Sequence, residues 1–239
     1  MRIREEALAL YRKYFELIEG SPLPETFVIE LSDHERGAPM AYIQQGGMVG
    51  AKIEPAHYWQ DLPEPAIAGL CAHEMGNYLR WPPPAMQVEL GERIAEVDRQ
   101  YKMPEYTETW QRRINRLRWE YEYIHGLLII TLADKLVIDY EASKLLLNAR
   151  LPVDCLVQFL EAEHEQEFRQ VEPVERKPGR VFVAEVRIAH ARLLARGDDE
   201  TRRTAEDMRR FYERWSRQLQ AAYEQHKALS SEQKTPSAS

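Results

Sequence analysis

Gly69-Leu70-Cys71-Ala72-His73-Glu74-Met75-Gly76-Asn77-Tyr78-Leu79-Arg80-Trp81 is one residue short of a zinc-binding helix. In the H-E-x-x-H pattern two histidines four apart share one helical face and ligate zinc, and the glutamate beside the first acts as general base. This chain keeps His73 and Glu74 but has Asn77 where the second histidine belongs. It therefore retains a base and one strong ligand. Asn77 offers a neutral carbonyl oxygen, which suits calcium or magnesium better than zinc.

The surroundings of the stretch predict a helix. Asp61-Leu62-Pro63-Glu64-Pro65 supplies an N-cap in Asp61 and prolines suited to a first turn, and Ala66 to Leu79 continue it. Trp81-Pro82-Pro83-Pro84 ends it, since proline cannot extend a helix. Upstream, Ile3, Ala7, Leu10, Tyr14, Leu17 and Ile18 recur at helical spacing until Gly20-Ser21-Pro22. Residues 27–31, 40–44 and 49–54 read as three short strands that would form a small N-terminal sheet. Downstream, helices are predicted over 88–100, 107–123, 126–150 and from Pro152 to about Phe168.

A zinc site needs three protein ligands and an open position. The ligands missing from the motif helix should come from a later helix facing it, and 133–143 alone offers carboxylates inside an apolar helical stretch: Asp134, Asp139 and Glu141. Asp134 and Asp139 lie roughly 140° apart around a helix, and Asp139 and Glu141 roughly 200°. At most two of them face the motif helix.

With both segments in view, the chain resembles the zincin peptidases related to the prenyl-protein endopeptidases. In that family H-E-x-x-H is followed by E-x-x-x-D, whose glutamate is the third zinc ligand. Asp139-Tyr140-Glu141-Ala142-Ser143 resembles this second motif, with Asp139 in the glutamate position and Ser143 in the aspartate position. The chain also resembles metallopeptidase-like proteins encoded beside von Willebrand A-domain proteins, and that likeness aligns Ala133-Asp134 with their ligand-bearing pair. The resemblance implies an α+β class: a helix-rich zincin-like domain with the small N-terminal sheet and a C-terminal helical extension. It implies zinc as cofactor on His73, Asn77 and Asp139 or Asp134, with Glu74 as the catalytic base.

The remainder organises around that domain. Residues 1–170 are expected to form it, 171–180 with Pro173, Pro178 and Gly179 to be a linker, 181–229 to be a helical hairpin, and 230–239 a disordered tail. Met208, Tyr212, Trp215, Leu219, Ala222 and His226 alternate spacings of four and three, a seam that suits either packing on its own domain or a homodimer. Cys71-Ala72-His73-Glu74 is not a deaminase site, because no C-x-x-C follows. His125 with Tyr121 or Tyr123 could stabilise an oxyanion, although aromatic packing accounts for them as well.

The 239 residues carry 32 basic and 39 acidic side chains, and a net charge of −7 argues against a general nucleic-acid partner. The apolar run 126–133 is far short of the roughly 20 residues that span a bilayer, so no membrane partner is expected. Two cysteines form no disulfide framework, and a cytoplasmic protein is expected. Two functions follow. One is a metal-dependent peptidase, or a degenerate relative, that lays a protein or peptide substrate along an edge strand at 40–44 or 49–54. The other is a catalytically inactive module that holds a protein partner in the same cleft or on its C-terminal helix.

Overall fold

The computed structural model describes residues 4–23, 28–29, 42–43, 51–53, 61–79, 110–169 and 178–232. Six helices carry it: α1 (Glu5–Glu19), α2 (Glu64–Leu79), α3 (Trp110–Asn148), α4 (Asp154–Arg169), α5 (Pro178–Arg196) and α6 (Asp199–Glu232). The helix expected over 88–100 lies outside these residues, as does the strand context around 30–41. The chain divides into two compact units, each packed mainly on itself. One comprises 1–81 with 135–206, the other 82–134 with 207–239.

The expected α+β class is corrected to a helical protein. No sheet layer forms among the described residues. Extended pairing is confined to three pieces, β1 (Val28–Ile29), β2 (Tyr42–Ile43) and β3 (Ala51–Ile53), with β3 parallel to β1 and antiparallel to β2. The described core is instead helix on helix, with the apolar faces of α1, α2, α3, α4 and α5 buried against one another. The order β1-β3-β2 also puts residues 51–53 in the middle, so an edge-strand role for that segment is withdrawn.

In the first unit α1 buries Ala7, Tyr11, Tyr14, Phe15 and Ile18 on one face. The buried stripe therefore runs through Tyr11 and Phe15, while the expected Leu17 points outward. Gly20 ends the helix in the left-handed region at φ 74, with its N–H donated to the Glu16 carbonyl at 2.9 Å. Tyr14 Oη and Lys13 Nζ both donate to Glu64 Oε1 at 2.7 Å and so fix α1 on the first turn of α2. Asp61, expected as the cap of α2, instead pairs with Arg4 at 2.6 Å.

α2 is apolar on nearly all sides, and Ala66, Ile67, Leu70, Cys71 and Ala72 are all buried. A helix buried all round needs neighbours that come close, and two glycines permit this. A Cβ on Gly69 would stand 2.1 Å from the Cys155 carbonyl oxygen of α4. On Gly76 it would stand 2.8 Å from the Ile138 carbonyl oxygen of α3. Phe159 and Leu156 of α4, Ala142 and Leu146 of α3, and Ile188 and Ala191 of α5 complete the same core.

Helices expected separately over 107–123 and 126–150 are one continuous helix, α3, with Gly126 inside it. Glycine keeps its N–H and only weakens a helix, whereas the segment holds no proline that would break the ladder. α3 closes through Arg150, which takes φ 58 where glycine is usual, and Leu151 N–H returns to the Leu146 carbonyl at 2.8 Å. Residues 178–180 of the expected linker form the first turn of α5. Gly197 at φ 76 then turns the chain, and Asp198 caps α6 by accepting the Thr201 N–H at 2.9 Å. No helix among the described residues is long and apolar enough to cross a membrane.

Two glycine-to-alanine substitutions should move stability in opposite directions. Gly69→Ala forces a methyl into backbone and should cost about 1–3 kcal/mol or more. Gly126→Ala meets nothing within 4 Å and should gain up to about 1 kcal/mol from helix propensity. Urea denaturation of both variants checks the pair.

Candidate functional site

His73 and Glu74 lie at the buried centre of α2, and both are almost wholly enclosed. They are not on a surface helix face. The groups around them come from three other helices of the same unit: Lys135 and Asp139 from α3, Glu163 from α4 and Arg187 from α5.

The first half of the site is built on Asp139, which is 0% exposed. His73 Nδ1 lies 2.9 Å from Asp139 Oδ1. An ionised carboxylate can only accept, so Nδ1 carries the proton of this hydrogen bond and Nε2 the lone pair. Arg187 grips the same carboxylate from the side, with Nε donating to Oδ2 at 2.9 Å and Nη2 to Oδ1 at 3.0 Å. Its third nitrogen, Nη1, donates to Glu163 Oε2 at 3.3 Å. Nη2 is also 3.4 Å from His73 Nδ1 and 3.5 Å from Nε2. With Nδ1 committed to Asp139, Nε2 is the ring nitrogen that can accept from Nη2. On another side the ring meets Phe159, with centroids 5.5 Å apart.

Charges follow from these interactions. Burial by itself would raise the Asp139 carboxyl, but the Arg187 charge and the hydrogen bonds from His73 and Arg187 together hold it well below the usual carboxylate range. Burial works against protonated Arg187, and Asp139 and Glu163 more than offset that, so it stays charged. His73 is pushed down, chiefly by burial, against the pull of its bond to Asp139, and is a neutral imidazole.

The second half is a chain through Asn77. Its Nδ2 donates to Glu74 Oε1 at 3.4 Å, and its Oδ1 accepts from Lys135 Nζ at 3.2 Å. An amide can give to a carboxylate and take from an ammonium at once. Glu74 Oε2 is buried without a partner among the described residues. Burial pushes Glu74 up to about 7, with Glu163 adding to the rise and Lys135 the strongest opposing pull. Lys135 is lowered by burial and by Arg187.

Of the residues expected to bind metal, His73 and Asp139 are in direct contact, and Asn77 bridges Glu74 to Lys135. Asp134 is buried on α3, in the stretch that belongs to the second unit. Glu141 faces away and pairs with Lys144 at 2.9 Å. Side chains at 121, 123 and 125 lie outside the described residues.

The donor set does not fit zinc. His73 could ligate a metal only through Nε2, and Arg187 Nη2 lies 3.5 Å from that nitrogen. Both oxygens of Asp139 are already taken by Arg187, and one of them also by the His73 N–H. Among the described residues no three His, Cys, Asp or Glu side chains are grouped to hold a metal ion.

Sequence reasoning missed Arg187 and Lys135. The signal was there for Arg187, because it falls in register with Ile188, Ala191 and Leu194 on the apolar stripe of α5. An arginine on a buried stripe calls for an acidic partner.

Compared with known proteins, the chain matches no protein family, no curated protein and no solved structure. The zincin resemblance accordingly rests on its two motifs.

Glu74 makes a testable contribution to pH dependence. Its folded value of about 7 exceeds the ordinary 4.5, so the folded state holds the extra proton between those limits. Stability from this group is therefore present at acid pH and lost as pH rises towards 7. At 1.36 kcal/mol per unit the loss is about 3 kcal/mol at most. Glu74→Gln should match wild type near the lower limit and exceed it at alkaline pH, and urea titrations across the range measure the difference. A difference independent of pH would mean that Glu74 titrates normally.

Proposed function

We propose that the chain is a catalytically silent relative of the zincin peptidases, which works by holding a protein or peptide rather than by cleaving it. The observation that carries this reading is the Arg187 guanidinium on both oxygens of Asp139. Metal-dependent hydrolysis requires a Lewis acid with an open position next to the base. Here the oxygens of Asp139 are taken by a tethered cation with no Lewis acidity and by the His73 N–H. Glu74, the base of the motif, is enclosed and turned to Asn77 rather than to an open metal position.

The relation to zincins is supported by the order of the parts: a His-Glu pair on one buried helix, met by an acidic residue from a later one. A binding role is supported by Phe211, which is 57% exposed on α6 and makes edge contacts with Tyr212 and Trp215. Aromatic side chains of this kind are common anchors in protein interfaces. A reducing compartment such as the cytoplasm suits Cys71 and Cys155, both buried free thiols.

Incubation of the wild-type protein with zinc and an unfolded protein substrate should yield no cleavage above that seen with Glu74→Gln. Turnover that disappears in Glu74→Gln would overturn the silent reading and restore the peptidase.

A further inference from the structure

We infer that the cluster around Asp139 is a guanidinium site whose ligand is built into the chain: Arg187 carries covalently the positive charge that a metal would otherwise bring, and the space its head fills is keyed to that planar cation. The inference deepens the silent-scaffold reading, which rests on the same contact, by naming what the site holds.

The geometry is specific to a guanidinium. Two N–H groups of Arg187 run side by side onto the two oxygens of Asp139, Nε to Oδ2 at 2.9 Å and Nη2 to Oδ1 at 3.0 Å. A planar fork satisfies a carboxylate in this manner, and the point charge of an ammonium does not reproduce it. The remaining nitrogen, Nη1, reaches Glu163 Oε2 on a different helix. All three nitrogens therefore meet an acceptor, supplied by α3 and α4. The imidazole of His73, held by its own bond to Asp139, brings its Nε2 to 3.5 Å from the same head.

The charges agree with this shape. Two carboxylates and a neutral imidazole surround one cation, and Asp139 is fully enclosed. Removing the cation strands a buried carboxylate, which is among the costliest single defects in a protein interior. A free cation of the same shape should be able to repair that defect, and zinc should not, because among the described residues no three His, Cys, Asp or Glu side chains are grouped to hold a metal ion.

The test is thermal unfolding of the full chain and of Arg187→Ala, followed by far-ultraviolet circular dichroism. The probes are guanidinium chloride at low, non-denaturing concentration, sodium chloride of equal ionic strength, and zinc chloride. Arg187→Ala should melt roughly 6–20 °C below wild type. Guanidinium should recover a saturable part of that loss, the other two salts none, and wild type should gain nothing. Arg187→Ala combined with Asp139→Asn should not respond, and Arg187→Lys should stay destabilised for want of the fork. If Arg187→Ala does not fold even with guanidinium, the same titration of Arg187→Gln, which leaves Asp139 one amide donor, decides the matter. A folded variant that ignores guanidinium, or that is stabilised by zinc instead, overturns the inference. Rescue by guanidinium together with Glu74-dependent cleavage by wild type would uphold it and remove only the silent-scaffold reading.

Discussion

A carboxylate with no exposure to water governs this structure. Asp139 is ionised at the heart of the first unit, and an isolated charge there would cost several kcal/mol. The burden falls on Arg187, so α5 has to be seated where its guanidinium reaches α3. Glu163 takes the third nitrogen and brings in α4, and His73 brings in α2. One ion pair thereby sets the mutual placement of four helices. Its net stabilisation is modest, because two desolvated charges largely offset their own attraction. What it does impose is a single arrangement, since any other leaves a charge stranded.

The neighbouring half of the site obeys a different logic. Among the described residues Glu74 has no cation in direct contact and relies on an amide and on the more distant Lys135. Asn77 serves both ends, donating a hydrogen bond to Glu74 and accepting one from Lys135. Position 77 thus has a structural use for asparagine that does not depend on any metal. The unpartnered Oε2 of Glu74 and its raised pKa belong together: burial without a charge partner favours the neutral acid.

Close approach of backbones makes both halves geometrically available. Gly69 lets α4 come against the start of α2, and Gly76 lets α3 cross near its end. Between those crossings α2 passes its polar pair through an otherwise apolar core of alanine, leucine and phenylalanine. The same small residues that resemble a peptidase helix are needed simply for a helix buried on every side.

Much of this was legible along the chain. Periodicity located the helices near the N-terminus, through the motif and beyond Pro152, because an apolar stripe and a proline are local properties. The His73-Glu74 pair and the acidic run containing Asp139 were visible as chemistry, and helical geometry excluded Glu141 from the face of Asp139. Three conclusions were beyond local reading. The extended segments suggested a sheet layer, yet a strand acquires meaning only from partners, and the described pairing spans two or three residues. Two helices were expected over 107–123 and 126–150, where one continuous helix runs through Gly126. Asn77 was legible only as a departure from the motif, and its partners Glu74 and Lys135, one of them far away in sequence, were not. The sequence alone determined that a buried helix would carry a histidine, a glutamate and an asparagine among small apolar residues. Only the tertiary structure decided that the cation beside them is Arg187, because a residue 48 positions from Asp139 becomes its counter-charge only when two helices pack.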